Sequence, residues 1–171
     1  IPSSIYGKTK NDAERLILYS DIRAIVIRTA WLYSTYGKNF VKSMIKYGTE
    51  RDELNVVFDQ VGTPTYAADL ADAILQILPQ LQAMPKPYTD LFHYTNEGVC
   101  SWYDFTQHIL RHENINCRVN PIRSEQYPTP AKRPAFSVLD KSKIKAKFGI
   151  TIPYWTDSLD VMLKKLKEKG E

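Results

Sequence analysis

Residues 24–30 read Ala24-Ile25-Val26-Ile27-Arg28-Thr29-Ala30, and this short β-branched run decides the fold. An uninterrupted apolar stretch of this length is what a strand buried on both faces of a parallel sheet requires. Upstream, Tyr6-Gly7-Lys8-Thr9-Lys10-Asn11-Asp12-Ala13-Glu14-Arg15-Leu16-Ile17 reads as a helix over 6–18. Helix followed by buried strand makes an α/β protein. Directly after the strand comes Trp31-Leu32-Tyr33-Ser34-Thr35-Tyr36-Gly37, a polar and aromatic loop at the carboxyl end, where open α/β sheets bind ligands.

Working outward, Phe40, Met44, Ile45 and Tyr47 recur at mainly helical spacing over 39–50, and Leu54 to Phe58 reads as another strand. Asp59-Gln60-Val61-Gly62-Thr63-Pro64-Thr65 is a turn-rich connection. Thr65 is the expected cap of a helix over 66–78 that stops at Pro79 and buries Leu70, Ile74, Ile77 and Leu78. A connector over 79–87 leads to a strand near 91–95. Ser101-Trp102-Tyr103-Asp104 has the form of a capping box, opening a helix whose apolar face holds Trp102, Phe105, Ile109 and Leu110. A short strand is expected over 118–122. Tyr127-Pro128-Thr129-Pro130-Ala131-Lys132-Arg133-Pro134 is excluded from regular helix or central strand by its three prolines. Helices over 141–148, closed by Gly149, and over 156–169, burying Leu159, Met162, Leu163 and Leu166, finish the chain.

With 171 residues, 43% of them hydrophobic, the chain is long enough to bury a respectable core. No apolar run is long enough to span a bilayer and no basic-then-apolar leader is present, so neither membrane insertion nor secretion is expected. Cys100 and Cys117 form neither metal spacing nor a disulfide framework, in keeping with the cytoplasm. Much of the net charge of +4 lies in Lys164, Lys165, Lys167 and Lys169, downstream of Asp157 and Asp160 on one helix. Acids early and bases late answer the helix dipole and remove the need for a nucleic-acid partner. Ile1 is not an initiator methionine, and a chain that opens directly on a helix reads as a fragment.

Tyr6 and Lys10 are four apart, so on a helix they share a face about a turn apart. A cation beside a phenol stabilises the phenolate and brings its pKa from about 10 towards neutrality, which makes a proton donor for a carbonyl oxygen. In a chain with 11 Tyr and many Lys, one such pair is also expected by chance. Other chemistries fare worse. His108 and His112 have the spacing of a helical zinc pair but lack the following glutamate and a third ligand. No Gly-x-Ser-x-Gly elbow is present. The seven glycines form neither Gly-x-Gly-x-x-Gly nor a P-loop, so the phosphate cradle of a dinucleotide is not in this chain.

The order of motifs is more specific than any one of them. Tyr6-Gly7-x-Thr9-Lys10, Ile27-Arg28-Thr29-Ala30-Trp31-Leu32-Tyr33, Asn39-Phe40, Asp59-Gln60-x-Gly62-x-Pro64-Thr65 and Tyr127-Pro128-Thr129-Pro130-Ala131-x-Arg133-Pro134 together resemble the dTDP-4-dehydrorhamnose reductases. These belong to the extended short-chain dehydrogenase/reductase superfamily. The resemblance covers nearly the whole chain and suggests the carboxyl-terminal part of such an enzyme, without its nucleotide-binding half. It implies a truncated Rossmann-like parallel sheet, with residues 1–35 giving the active-site helix and a Rossmann strand. Residues 36–171 would give mainly a small α+β lobe for the sugar nucleotide, with the strand near 91–95 returning to the Rossmann sheet.

By the same resemblance the activity is reduction of dTDP-4-dehydro-L-rhamnose to dTDP-L-rhamnose with NADPH or NADH. Tyr6 protonates the carbonyl oxygen, and Lys10 lowers its pKa and holds the nicotinamide ribose. Thr29 and Ala30 border the nicotinamide, Trp31 lies beside the sugar ring, and Asn39 and Arg133 serve the phosphates. Asn39 as a plain helix cap and Arg133 as a structural bridge are the alternatives. The chain departs from the pattern at Phe136-Ser137, where Asn-Ser is expected, and the Ser/Thr of the family's triad falls upstream. The isolated chain is therefore expected to be inactive and, with an unpaired sheet edge, to associate, for instance as a homo-oligomer. The alternatives are a regulatory subunit like the β subunit of methionine adenosyltransferase, or another sugar-nucleotide epimerase or reductase.

Overall fold

The computed structural model describes residues 5–129 and 133–170, with the backbone alone at Tyr6. Helix α1 (Ile5–Leu18) leads into β1 (Arg23–Arg28), and β1 pairs in parallel with β6 (Tyr88–His93), from Arg23 opposite Tyr88 to Arg28 opposite His93. Side chains alternate along β1. Ile25 and Ile27 pack on a core with Ile77 of α3 (Ala67–Ala83) and with Ile144 and Phe148 of α5 (Ser142–Phe148). Arg28 turns the other way and grips Glu14 of α1, through Nε at 2.8 Å and Nη2 at 2.5 Å. The helices therefore cover opposite faces of the pair, an α/β/α layering.

A second core lies under α2 (Phe40–Glu50), α4 (Trp102–His112) and α6 (Trp155–Glu168). It closes over β3 (Glu53–Val57), which pairs in parallel with β8 (Arg118–Ile122). Phe105, Ile109, Leu159, Met162 and Leu163 are wholly buried in it. Two short pairs join the layers. The parallel one is β2 (Leu32–Tyr33) with β5 (Thr65–Tyr66), and the antiparallel one is β4 (Val61–Gly62) with β7 (Cys100–Ser101). Among the described residues no helix is long and apolar enough to cross a membrane.

Local chemistry explains the element ends. The box at Ser101 is complete, with Asp104 N–H donating to Ser101 Oγ at 3.1 Å and Ser101 N–H to Asp104 Oδ2 at 2.9 Å. Gly149 ends α5 in the left-handed region, φ +66°, where a side chain would be strained.

Four expectations are corrected. Strand β1 is half-buried along its length rather than buried on both faces, because among the described residues it has a neighbour on one edge only. Helix α3 passes through Pro79 and continues to Ala83. Pro79 is exposed, so the carbonyl that loses its N–H partner faces water, while Leu81 and Met84 beyond it pack on the core. The buried stripe of α3 is Ala73 and Ile77, whereas Ile74 and Leu78 are 38% and 41% exposed. Ala73 and Ile77, four apart, share the face that packs on the core with Phe92 and Ile144. Thr65 does not cap α3; its hydroxyl donates instead to the Ala30 carbonyl.

Candidate functional site

Strand β1 ends at Arg28, so Thr29 and Ala30 lie just past its carboxyl end rather than within it. Thr29 is exposed and its Oγ1 donates to Thr65 Oγ1 at 3.4 Å. Trp31 follows in the left-handed region, with φ +48°. Its ring lies flat on that of Trp102, with centroids 3.6 Å apart and planes 13° apart. Trp102 in turn meets Phe40, the first residue of α2, at 4.6 Å.

This aromatic group opens onto a cleft of about 250 Å³, lined among others by Phe40, Met44, Val57, Gln60, Trp102 and Arg133. Strand β3 forms its floor, and Tyr127 and Thr129 join Arg133 along its margin. Both ends of the segment carrying those three residues are tied to the 59–61 turn. At one end the Asp59 carboxylate accepts Ser124 Oγ–H at 2.6 Å and Ser124 N–H at 2.9 Å. The Ser124 hydroxyl holds the Asp59 carboxyl below its ordinary pKa, so the tie keeps its charge-assisted form near neutrality. At the other end Val61 N–H donates to the Ala135 carbonyl, and Ser137 N–H to the Val61 carbonyl, each at 2.8 Å. The arrangement offers a guanidinium, amide groups and aromatic faces around one opening, the equipment for a charged ligand with a ring system.

Asn39 caps α2: its Oδ1 accepts Lys42 N–H at 3.2 Å, and its Nδ2 donates to the Ser34 carbonyl at 2.6 Å. Lys10 is exposed on α1, and the side chain of Tyr6 lies outside the described residues. The structure thus brings Thr29, Ala30 and Trp31 together, joins Trp31 through Trp102 to the cleft, and sets Arg133 on its rim. Sequence reading assigned Trp102 to the core and placed Met44 in a helix and Asn55 and Val57 in a strand, without assigning them to the cleft that all three line. Trp102 carried one signal, its place as the first residue of α4 directly after a capping serine, where a large side chain reaches the helix end.

His108 and His112 share Asp160, with His108 Nε2 at 2.8 Å and His112 Nε2 at 3.9 Å from its Oδ1. Among the described residues no three His, Cys, Asp or Glu side chains form a metal cage.

The pattern of the RmlD substrate binding domain family matches residues 1–168. The chain belongs to this family. It is 41% identical over 167 residues to a dTDP-4-dehydrorhamnose reductase of Aggregatibacter actinomycetemcomitans, covering 92% of this chain and 56% of that protein. Among solved structures it is similar to a dTDP-4-dehydrorhamnose reductase ortholog of Clostridium acetobutylicum, with TM-score 0.89 and 41% identity, over 98% of this chain and 57% of that one. It is also similar to the Bacillus anthracis dTDP-4-dehydrorhamnose reductase solved in complex with NADP, with TM-score 0.88 and 33% identity, over 96% and 57%. The chain therefore spans a little over half the length of these relatives. The family match joins the truncated Rossmann-like sheet and the cleft-bearing layers in one pattern.

Proposed function

We propose that the complete gene product reduces the 4-keto group of dTDP-4-dehydro-L-rhamnose to give dTDP-L-rhamnose. The observation that carries the reading is the continuity from the carboxyl end of β1, through Trp31 stacked on Trp102, to a cleft rimmed by Arg133. A sugar held beside Trp31 would have its nucleoside diphosphate directed into that cleft, where Arg133 pairs with phosphate oxygens and Phe40 and Trp102 offer aromatic faces. Asn39, with its amide engaged in capping α2, serves the diphosphate chiefly by fixing that helix's amino end. In this division residues 1–35 and the returning strand serve the cofactor side, and 36–171 mainly the sugar nucleotide. The protein would work in the cytoplasm, in keeping with two free cysteines.

The donors present fit the nicotinamide end of a reduced dinucleotide: the exposed Thr29 hydroxyl and the Lys10 ammonium suit ribose and carboxamide groups. The chain has no Gly-rich loop for the phosphates, so the reading assigns the reaction to the complete gene product. The cofactor supplies the hydride when bound, and the Bacillus anthracis relative's NADP favours NADPH. Lys10 stabilises the Tyr6 phenolate, and Tyr6 delivers the proton to the sugar oxygen as the C–H bond forms. Lys10 also holds the ribose, and Thr29 and Ala30 line that side.

The test is NADPH oxidation with the keto-sugar nucleotide, using wild type and Tyr6→Phe. Loss of the phenol removes a proton donor of the kind that contributes about 10²–10⁴-fold. Wild-type turnover in the variant would refute the assignment, and failure of wild type to reduce the substrate would refute the activity.

A further inference from the structure

Trp31 holds a backbone conformation that L-residues other than Asn and Asp rarely adopt, and such a conformation persists only where the surroundings over-determine it. Its φ is +48°. Thr65, wholly buried, reaches both peptide planes that flank it. The Thr65 hydroxyl donates to the Ala30 carbonyl at 2.6 Å, which belongs to the peptide before Trp31. The Thr65 backbone N–H donates to the Trp31 carbonyl at 3.1 Å, which belongs to the peptide after it. The angles φ and ψ of a residue are the rotations between those two planes, so one residue holding both carbonyls fixes both angles. The side chain is set separately. Trp102 lies under the indole at 3.6 Å, and Gly62 leaves the space that a Cβ would take 2.8 Å from the indole Cε2 and Cζ2.

We propose that Thr65 is a positioning residue for the sugar: its hydroxyl holds the Ala30–Trp31 turn so that the indole faces the 4-keto ring. The proposal rests on the reading of Trp31 as the aromatic beside that ring. Thr65 itself is buried behind the turn and acts through Trp31. The hydroxyl is the part that matters, because valine fills the same space and cannot donate.

The experiment compares Thr65→Val and Thr65→Ser with wild type in the complete gene product. Two indoles stacked this closely couple their electronic transitions, and a far-UV circular dichroism couplet reports their mutual orientation without any substrate. Thr65→Val is expected to weaken the couplet and to raise KM for the keto-sugar nucleotide about tenfold. That is less than the roughly 10²-fold cost of misplacing a group at the reacting centre, because the indole touches the ring and not the reacting atoms. The kcat is expected to stay near wild type, and the KM for NADPH to rise less than that for the keto sugar, because the Thr65 hydroxyl also meets Thr29 and Ala30. Thr65→Ser, which keeps the hydroxyl, is expected to restore couplet and KM. An unchanged couplet in a folded Thr65→Val protein overturns the grip on Trp31. A weakened couplet with unchanged KM overturns the role in recognition. Failure of wild type to reduce the keto sugar is a separate result and bears on the proposed activity alone.

Discussion

Replacing Asn96 with alanine should cost more stability than any single surface change. Asn96 is wholly buried and joins three parts of the chain. Its Oδ1 accepts the Tyr66 N–H at 2.8 Å. Its Nδ2 donates to Asp69 Oδ2 at 2.6 Å and Ser158 Oγ at 2.8 Å, with the Pro153 carbonyl at 3.3 Å. Truncation leaves the Tyr66 amide buried without an acceptor, at about 1–3 kcal/mol. It also strips the Asp69 carboxylate of one charge-assisted donor, worth about 1.5–3 kcal/mol. Ser158 Oγ still donates to Asp69, so that carboxylate is not orphaned and the lower half of each range applies. The expected loss is about 3 kcal/mol, a large share of the roughly 5–15 kcal/mol that holds a typical domain folded. Urea unfolding of the complete gene product, followed by tryptophan fluorescence, should show a lower midpoint at unchanged slope. Ser158→Ala alone should cost about 1 kcal/mol, and the double variant less than the sum, because both substitutions empty the same network. A loss below about 1 kcal/mol for Asn96→Ala, or strict additivity, would refute the view that this amide is the shared partner.

Two further outcomes follow from contacts at element ends. The Arg28 guanidinium, hydrogen-bonded to Glu14, holds that carboxyl below its ordinary value. The contribution of the pair is therefore complete above the unfolded pKa of about 4.3 and is lost as pH falls through the lower folded value. With Arg28 nearly half exposed and Glu14 partly covered, screening by solvent leaves it about 1 kcal/mol or less. Glu14→Gln should flatten that acid limb in stability measured between pH 3 and 7, and an unchanged limb would show that the pair contributes nothing. Ser101→Ala removes the side chain that caps α4 and should cost about 1–2 kcal/mol, lowering the melting temperature by several degrees. An unaltered melting temperature would mean that the cap is dispensable.

How much of this could be read before any coordinates depended on whether the deciding interaction was local. The box at Ser101, the glycine at 149 and the stripe Leu159, Met162, Leu163 and Leu166 obey short-range periodicity or capping chemistry and formed where expected, and the run at 24–30 formed a strand that ends two residues early, at Arg28. Misreadings arose where a distant partner overruled the local rule. Thr65 has the composition of a helix cap, but a carbonyl 35 residues earlier holds its hydroxyl and the cap position passes to Tyr66. Pro79 has the composition of a helix stop, but packing beyond it carries α3 on to Ala83.

The same distinction explains why the cleft was only half legible. Arg133 stands out because prolines stiffen its segment, whereas Trp102 has the same spacing to Phe105 and Ile109 as any core residue. Helical periodicity reports which face of α4 is apolar; it does not report that the first turn of that face projects past the core and meets Trp31 from another layer. The residue that makes the site continuous is therefore the one whose pattern is indistinguishable from packing. The strained turn at Trp31 has the same origin: nothing in Ala30-Trp31-Leu32 favours a positive φ, so the conformation must be imposed by β5 and lost when that grip is lost. Local strain that no local residue explains identifies the element that supplies the constraint, and here that element begins at Thr65.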